Sequence, residues 1–366
     1  MVDQLEEYRR RRDARRTPEP IPATAGEKTT GNRFVIQQHH ARSLHWDVRL
    51  EHDGVLASFA VPRGLPRDRA RNNLARRTED HPLEYLDFAG EIPAGEYGGG
   101  RMTIHDRGTY QLDKWRDDEI SVTFHGERTS GRYVFFRTDG APPTDGPGAG
   151  SGTAWMVRRM DPVEPGWQSM PEAVEPMLAT AAAGLPPDDE DWGYELSWAG
   201  RRTLAYVSGG RVRLTDADGV DVTSWYPELR PLGAALAPTE AVLDGEIVAF
   251  DGATVSADRL ALRREPRDSG AAKRAAERTP IHFLVYDLLW LEGHSTVEFL
   301  RYAQRRELLE GLNLTGANWQ TPPYFPGGGE FALEAAAAQG LGGVVAKRLD
   351  SPYLPGRRSR LWMLIG

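Results

Sequence analysis

The sequence predicts two domains, an all-β barrel or sandwich followed by an α+β domain, and three observations carry that prediction. The chain has 366 residues, a length that suits two average domains. From Phe34 to Arg158, short β-rich runs alternate with Gly- and Asp-rich turns, the pattern of a small antiparallel barrel or sandwich. Beyond Pro171, strand-like and helix-like patterns alternate.

Taken in order, residues 1–31 read as a basic N-terminal arm. A helical stretch from Leu5 to Arg15 is ended by Thr17-Pro18-Glu19-Pro20. The β region, residues 32–161, opens at Phe34. Asp53-Gly54 between Leu50 and Val55 marks a tight hairpin. Arg101–His105, Ile120–His125, Tyr133–Arg137 and Trp155–Arg158 are further strands, and the low-complexity stretch 139–153 is a loop before the last of them. Residues 162–176, with Pro162, Pro165 and Pro171, read as a linker. The second domain, 177–366, has candidate strands Thr203–Val207, Ala241–Phe250 and Ile281–Tyr286 and candidate helices Tyr302–Glu310 and Glu330–Gln339.

Composition narrows the chemistry. Cysteine is absent, which excludes disulfides, thiolate nucleophiles and sulfur-ligated zinc. No apolar run is long enough to cross a bilayer, and Met1 to Arg16 lacks the apolar core of a signal peptide, so a cytoplasmic protein without a membrane partner is expected. The net charge of −8 does not itself suggest a nucleic-acid partner. Two arginine clusters do: Arg9, Arg10, Arg11, Arg12, Arg15 and Arg16, and then Arg63, Arg67, Arg69, Arg71, Arg76 and Arg77. A solvated face or a loose arm is the plain alternative for the first cluster. Only four lysines occur, Lys28, Lys114, Lys273 and Lys347.

Seven of the nine histidines lie in the first 125 residues. In a strand running through His45-Trp46-Asp47-Val48-Arg49-Leu50, His45, Asp47 and Arg49 share one face and the apolar residues the other. Three such polar groups inside a barrel are costly unless they bind something. His45 and Asp47, joined by His39 across a turn, suit a divalent metal; manganese, iron and zinc all fit a His-His-Asp set. Arg49 beside it suits a phosphate. An exposed strand face with an Asp47–Arg49 salt bridge is the structural alternative. His81, held by Pro82, is a candidate acid or phosphate contact, or simply a turn histidine. The glycine-rich stretch Glu91 to Gly100 lacks the spacing of a nucleotide-binding fingerprint.

The stretches Phe34-Val-Ile-Gln-Gln-His39, Leu44-His-Trp-Asp-Val-Arg-Leu-Glu51, Phe59-Ala-Val-Pro-Arg-Gly64, Glu79-Asp-His-Pro-Leu-Glu-Tyr85, Gly90-Glu-Ile-Pro93 and Trp155-Met-Val-Arg158 resemble the 3′-phosphoesterase domain of bacterial ligase D, an end-joining repair enzyme. The arm, with Tyr8, Arg12-Asp13 and Thr17-Pro-Glu-Pro20, resembles it too. The resemblance implies a β-barrel that holds a manganese-like metal, trims 3′-terminal ribonucleotides and removes 3′-phosphates. It implies His39, His45 and Asp47 as metal ligands, and Arg49 and His81 as groups on the scissile phosphate; by its chemistry a protonated His81 suits stabilising or protonating the leaving oxygen. Arg12 and Arg63 are implied as further phosphate contacts, and Tyr85 as pocket support. Where the family tends to carry a basic residue, this chain has Asn73, with Arg71 and Arg76 as possible substitutes.

Residues 176–366 resemble the adenylation domain of ATP-dependent DNA ligases through Tyr194-Glu-Leu-Ser-Trp-Ala-Gly-Arg-Arg202, Leu243-Asp-Gly-Glu-Ile-Val248, Phe283-Leu-Val-Tyr-Asp-Leu-Leu289, Gly343-Val-Val-Ala-Lys-Arg348 and Tyr353 to Trp362. The departures fall on the chemistry. Ser197 stands at the family's nucleophilic lysine and Ala199 at the aspartate two residues on. Gly342 stands at a metal-binding glutamate, and Leu364 and Gly366 at lysines that engage the nucleotide phosphates. Glu246 and Tyr286, expected near ribose and adenine, remain, as does Lys347. Serine cannot form the phosphoramidate intermediate. The expectation is therefore a ligase-like domain inactive in adenylation, with little basis for ATP binding and without the oligonucleotide-binding domain that would follow.

Three functions stay open: a metal-dependent 3′-phosphoesterase with an inactive ligase-like domain, a non-catalytic DNA-end-binding scaffold, and an active ligase. The first is favoured because every expected metal ligand is present while the ligase nucleophile is not. Partners would be DNA or DNA/RNA 3′ ends and an end-joining polymerase, ligase or end-binding protein.

Overall fold

The computed structural model describes residues 3–24, 31–138, 154–263 and 265–366. It forms two compact units, Met1–Pro165 and Gly166–Gly366. The loop expected at 139–153 lies outside the described residues.

The first unit is an antiparallel barrel. Its strands are β1 (Arg33–His40), β2 (Leu44–His52), β3 (Val55–Val61), β4 (Asn72–Arg77), β5 (Gly90–Ile92), β6 (Gly100–Trp115), β7 (Glu119–Gly126), β8 (Ser130–Arg137) and β9 (Ala154–Arg159). Their order is β1-β2-β3-β4-β9-β8-β7-β6, with β5 beside β6, and pairing of β6 with β1 closes the ring. Asp53 (φ 50°) and Gly54 (φ 84°) make the β2–β3 turn. Two successive positive φ values match the twist of a hairpin.

Which face of β2 points inward follows from the register. Phe59 on β3 touches Phe135 on β8 and Trp155 on β9 across the barrel. Val48 is opposite Phe59, and Ile36 opposite Val48, so these side chains fill the interior. By alternation, His45, Asp47 and Arg49 project from the outer face. This corrects the expectation of a polar row inside the barrel.

The outer face is nevertheless buried, because the N-terminal segment covers it. Helix α1 (Glu6–Arg10) is shorter than the expected Leu5–Arg15. Leu5 and Tyr8, both fully buried, pack with Val35, Val55, Leu56, Tyr85, Leu86, Ile92 and Met102 in a second core outside the barrel. The segment read as a basic arm is thus part of the first unit. Its arginines are largely spent on internal ion pairs: Arg9 with Asp3, Arg10 and Arg11 with Glu7, Arg12 with Glu19 and Glu79, and Arg16 with Glu96.

The second unit is α+β, with two sheets and flanking helices. One sheet holds Leu178–Ala182, Arg358–Ile365, Val344–Arg348, Trp192–Leu196 and Phe325–Pro326 in that order. The other is built on Arg211–Asp216, Arg201–Ser208, Ala241–Asp251 and Ile281–Leu291. Helices Tyr302–Gly311 and Gly329–Ala338 lie where the periodicity predicts them. The stretch read as a linker is not free over its second half: Met170 and Val174 pack against the core around Trp290 and Trp362, and Trp290 donates to the Gln168 carbonyl.

A buried ion pair anchors this unit. Arg305 donates from Nε and Nη2 to the two oxygens of Asp287, at 2.8 and 3.0 Å, and both side chains are fully buried. Burial alone would raise the carboxyl pKa of Asp287, but Arg305 outweighs it and holds it below the ordinary range. A depressed folded pKa means stability that is complete above the unfolded value of about 4 and lost as the pH falls through the folded one. Asp287→Asn should lower unfolding free energy by roughly 3–5 kcal/mol, read from the urea midpoint at neutral pH. The same variant should lose part of the wild type's stability decline in acid.

Candidate metal centre and ligase-like site

The register of β1 and β2 sets His39 opposite His45 and Gln37 opposite Asp47. One hairpin therefore supplies a compact cluster: ligand atoms of His39, His45 and Asp47 all lie within 4.8 Å of one another. His45 Nδ1 is 3.1 Å from the Ser43 carbonyl. A carbonyl only accepts, so Nδ1 carries the proton and, in the neutral ring, Nε2 presents its lone pair. That lone pair faces Asp47 Oδ1 at 3.6 Å. His39 Nδ1 is 3.7 Å from Asp47 Oδ2, and His39 Nε2 is buried with no hydrogen-bond partner. Electron-rich atoms converge without bonding one another, and a cation is what they have in common. Burial alone would raise the Asp47 pKa; Arg49, with both histidines, outweighs it and keeps the carboxylate ionised far below the usual range.

Arg49 is fixed from three sides. It donates to Gln37 Oε1 (2.7 Å), Ser58 Oγ (2.8 Å) and Asp47 Oδ2 (3.0 Å), and its guanidinium lies 4.7 Å from the Tyr85 ring centre. Of its five N–H groups, one on each terminal nitrogen remains for a ligand. Gln37 is itself held by donating to the Tyr85 and Phe88 carbonyls, and Ser58 by donating to the Leu56 carbonyl.

His81 sits differently from the expectation. Its Nδ1 is 2.9 Å from the Glu79 carbonyl and its Nε2 is 3.3 Å from Arg12 Nη2. One nitrogen must donate and the other must accept from a guanidinium, which is the neutral ring. Burial, then Arg49 and Arg12, push its pKa well below the ordinary histidine value. A protonated His81 poised to donate is therefore not the resting arrangement. Arg12 has a side chain 4% exposed and bonds Glu19, Glu79 and the Tyr8 carbonyl as well. Tyr85 donates its hydroxyl to Glu19 at 2.5 Å. Arg63 is exposed beyond β3. Asn73 donates to the Gly64 carbonyl, so it braces the chain behind Arg63. Sequence reasoning passed over Gln37, Ser58, Glu19 and Glu79 as site residues. Gln37 had a signal, two positions before His39 on the same strand face; Ser58 had none.

In the second unit, Trp192–Leu196 pairs with Val344–Arg348 and places Gly193 opposite Lys347. Lys347 Nζ lies 2.6 Å from Glu195 Oε2, with angles outside hydrogen-bond geometry, and within 4.2–5.1 Å of the ring centres of Trp362, Tyr286 and Tyr302. Burial lowers its pKa despite Glu195. Glu246 accepts from the Gly200 amide at 3.1 Å. Arg202 grips Asp244 with two bonds of 2.6 Å and lies 4.9 Å from the Tyr286 ring centre. Ser197 is half-buried and donates its amide to the Gly343 carbonyl; Ala199 is exposed with φ 50°; Gly342 is exposed. The retained Lys347 lies over the Tyr286 ring, 4.4 Å from its centre, and a serine occupies position 197.

The model of the DNA ligase D 3′-phosphoesterase domain matches residues 37–137, and that of the ATP-dependent DNA ligase domain matches residues 176–365. The multifunctional non-homologous end joining protein LigD of Mycolicibacterium smegmatis is 40% identical over 374 residues, 99% of this chain and 45% of that protein. Its counterpart from Mycobacterium bovis is 42% identical over 369 residues, again 99% and 45%. DNA ligase C1 of M. smegmatis is 34% identical over 190 residues, 50% of this chain and 54% of that protein. The chain spans less than half the length of the two LigD relatives.

One divalent ion per chain should bind the first unit. Mn2+ titrated calorimetrically into metal-stripped protein should show one site, weakened at least about tenfold in His39→Ala and lost in Asp47→Ala; unchanged affinity in both would place the ion elsewhere.

Proposed function

Because the chain belongs to the ATP-dependent DNA ligase family and carries a ligase D-type 3′-phosphoesterase domain before it, we propose that its working activity is the phosphoesterase alone: metal-dependent hydrolysis of 3′-terminal ribonucleotides and 3′-phosphates at DNA ends, in end-joining repair. The observation that carries this reading is the His39–His45–Asp47 convergence beside a pre-positioned Arg49.

The residues fit a divalent ion, manganese by the ligand set and the resemblance. When bound, the ion would polarise a phosphoryl oxygen and lower the pKa of a coordinated water. The chain's own groups do the rest. Arg49 offers its two remaining N–H groups to the phosphate oxygens, where charge builds during hydrolysis. Asp47 keeps Arg49 aimed while remaining ionised. His81 orders Arg12 and Glu79 at the rim instead of supplying a proton. Arg63, exposed next to β3, is placed to meet a phosphate further along the substrate.

The ligase-like unit is read as inactive in adenylation. ATP does not fit as a reactant there, because Ser197 holds the nucleophile's place and Lys347 is ion-paired to Glu195 in an aromatic enclosure. Among the described residues no helix is long and apolar enough to cross a membrane, and DNA ends with their repair proteins are the proposed partners.

A labelled primer–template with one 3′-terminal ribonucleotide tests both halves. With Mn2+, wild type should shorten the primer and Asp47→Ala should lose at least about a hundredfold in rate. Intact mass after incubation with ATP and Mg2+ should show no covalent nucleotide. No shortening with any divalent ion, or a nucleotide adduct, would overturn the corresponding half.

A further inference from the structure

The outer face that carries the metal cluster continues past β3, and the register shows what it presents. Asp47 is opposite Ala60, and Ala60 opposite Arg76. Facing side chains in an antiparallel pair lie on the same side of the sheet, so Arg76 stands in the Asp47 row, two strands away, about 10 Å at the usual strand spacing. Two residues back, Leu74 is opposite Met156, and Met156 opposite Phe136. Asn72 is opposite Arg158. The inward residues of these strands, Ala75, Trp155, Val157 and Phe135, are buried, which fixes the other set outside. The result is a strip of partly exposed apolar side chains, Leu74–Met156–Phe136, edged by the exposed Arg76 on one side and the exposed Arg158 on the other.

These arginines differ from those of the N-terminal segment. Among the described residues, neither Arg76 nor the neighbouring, exposed Arg71 meets a carboxylate, and Arg158 bonds only the Arg69 carbonyl. Uncompensated guanidinium groups flanking an apolar strip that ends in an aromatic ring suit one kind of partner. It carries phosphates at its edges and offers flat faces to stack: a single nucleic-acid strand with its bases unpaired. Paired bases inside a duplex would keep their faces from the strip. Asn73 points the other way, toward Gly64, so Arg76 is the β4 side chain available to an anion on this face.

We propose that the outer face of β4, β9 and β8 binds the unpaired nucleotides next to the processed 3′ end, with phosphates on Arg76 and Arg158 and a base against Phe136. This rests on the phosphoesterase reading for its direction, since the strip leads away from the metal cluster.

The test is fluorescence anisotropy of the full chain in EDTA, with a short labelled single strand ending in a ribonucleotide and with its blunt duplex. Wild type should bind the single strand more tightly. Arg76→Ala/Arg158→Ala should reduce the slope of log Kd against log salt by about 1.4, two phosphate contacts on a single strand. Phe136→Ala should weaken binding at least about fivefold. Each variant's Tm is compared with wild type, and the arginine pair, being exposed, keeps the test valid should Phe136→Ala unfold. An unchanged salt slope, or tighter binding of the blunt duplex, would overturn the proposal. Mn2+-dependent turnover of bis(p-nitrophenyl) phosphate by wild type separates the two readings: without it the phosphoesterase reading fails, while the salt slope still decides the surface.

Discussion

Glu19 is a fully buried carboxylate that accepts from Arg12, Tyr85 and Thr17 at once. A charge removed from water in this way is tolerable only when its partners surround it. Two of those partners, Arg12 and Tyr85, belong to the candidate site without coming from the β1–β2 hairpin. Arg12 reaches on to His81 and Glu79, and Tyr85 lies under Arg49. The carboxylate therefore joins the N-terminal segment to the sheet, and the segment's Tyr8 packs edge-on against Tyr85 and His81 beside Arg49. Without that segment the outer face of β2 would be an ordinary wet strand face, and the electrostatics of Asp47 would relax accordingly.

How much of this could be read in the sequence depended on distance along the chain. The alternation through His45 to Leu50 is local, and it assigned the polar face correctly as a unit; His39 could be added because a hairpin brings it back within a few residues. The sequence could not say that this face looks outward, since a barrel strand buried on both sides has the same alternation as one buried on one. That depended on Phe59 meeting Phe135 and on Leu5 and Tyr8 arriving from far away. The basic N-terminus illustrates the same limit. Composition counts six arginines there, but only the fold reveals that carboxylates such as Glu7, Glu19, Glu79 and Glu96 already meet most of them. His81 was singled out by Pro82, yet its protonation state is set by burial and by Arg49 and Arg12, the last of them 69 positions away.

Each unit separates structural polar contacts from unsatisfied ones. In the second, the strongest polar contacts are structural. Asp287 with Arg305, and Asp244 with Arg202 and Tyr353, are buried, mutually satisfied and independent of Ser197, Ala199 or Gly342. A serine at position 197 removes nothing these networks need, so the fold does not depend on which residue stands there. Both sites also hold buried polar atoms without a hydrogen-bond partner: His39 Nε2 in the first unit, Tyr286 Oη and Lys347 Nζ in the second.

The hairpin origin of the metal cluster also bears on how the chain acquires its structure. His39 and Asp47 are eight residues apart and meet as soon as β1 and β2 pair, whereas Arg12 must wait for His81. Short-range contacts form before long-range ones because less chain entropy is lost in closing them. Loop-closure entropy thus favours assembling the ligand set on the hairpin itself over closing the more distant contacts of the N-terminal segment. The N-terminal segment lies close to the hairpin in sequence, yet it is tied down through residues far beyond it, Glu79, His81 and Tyr85 among them.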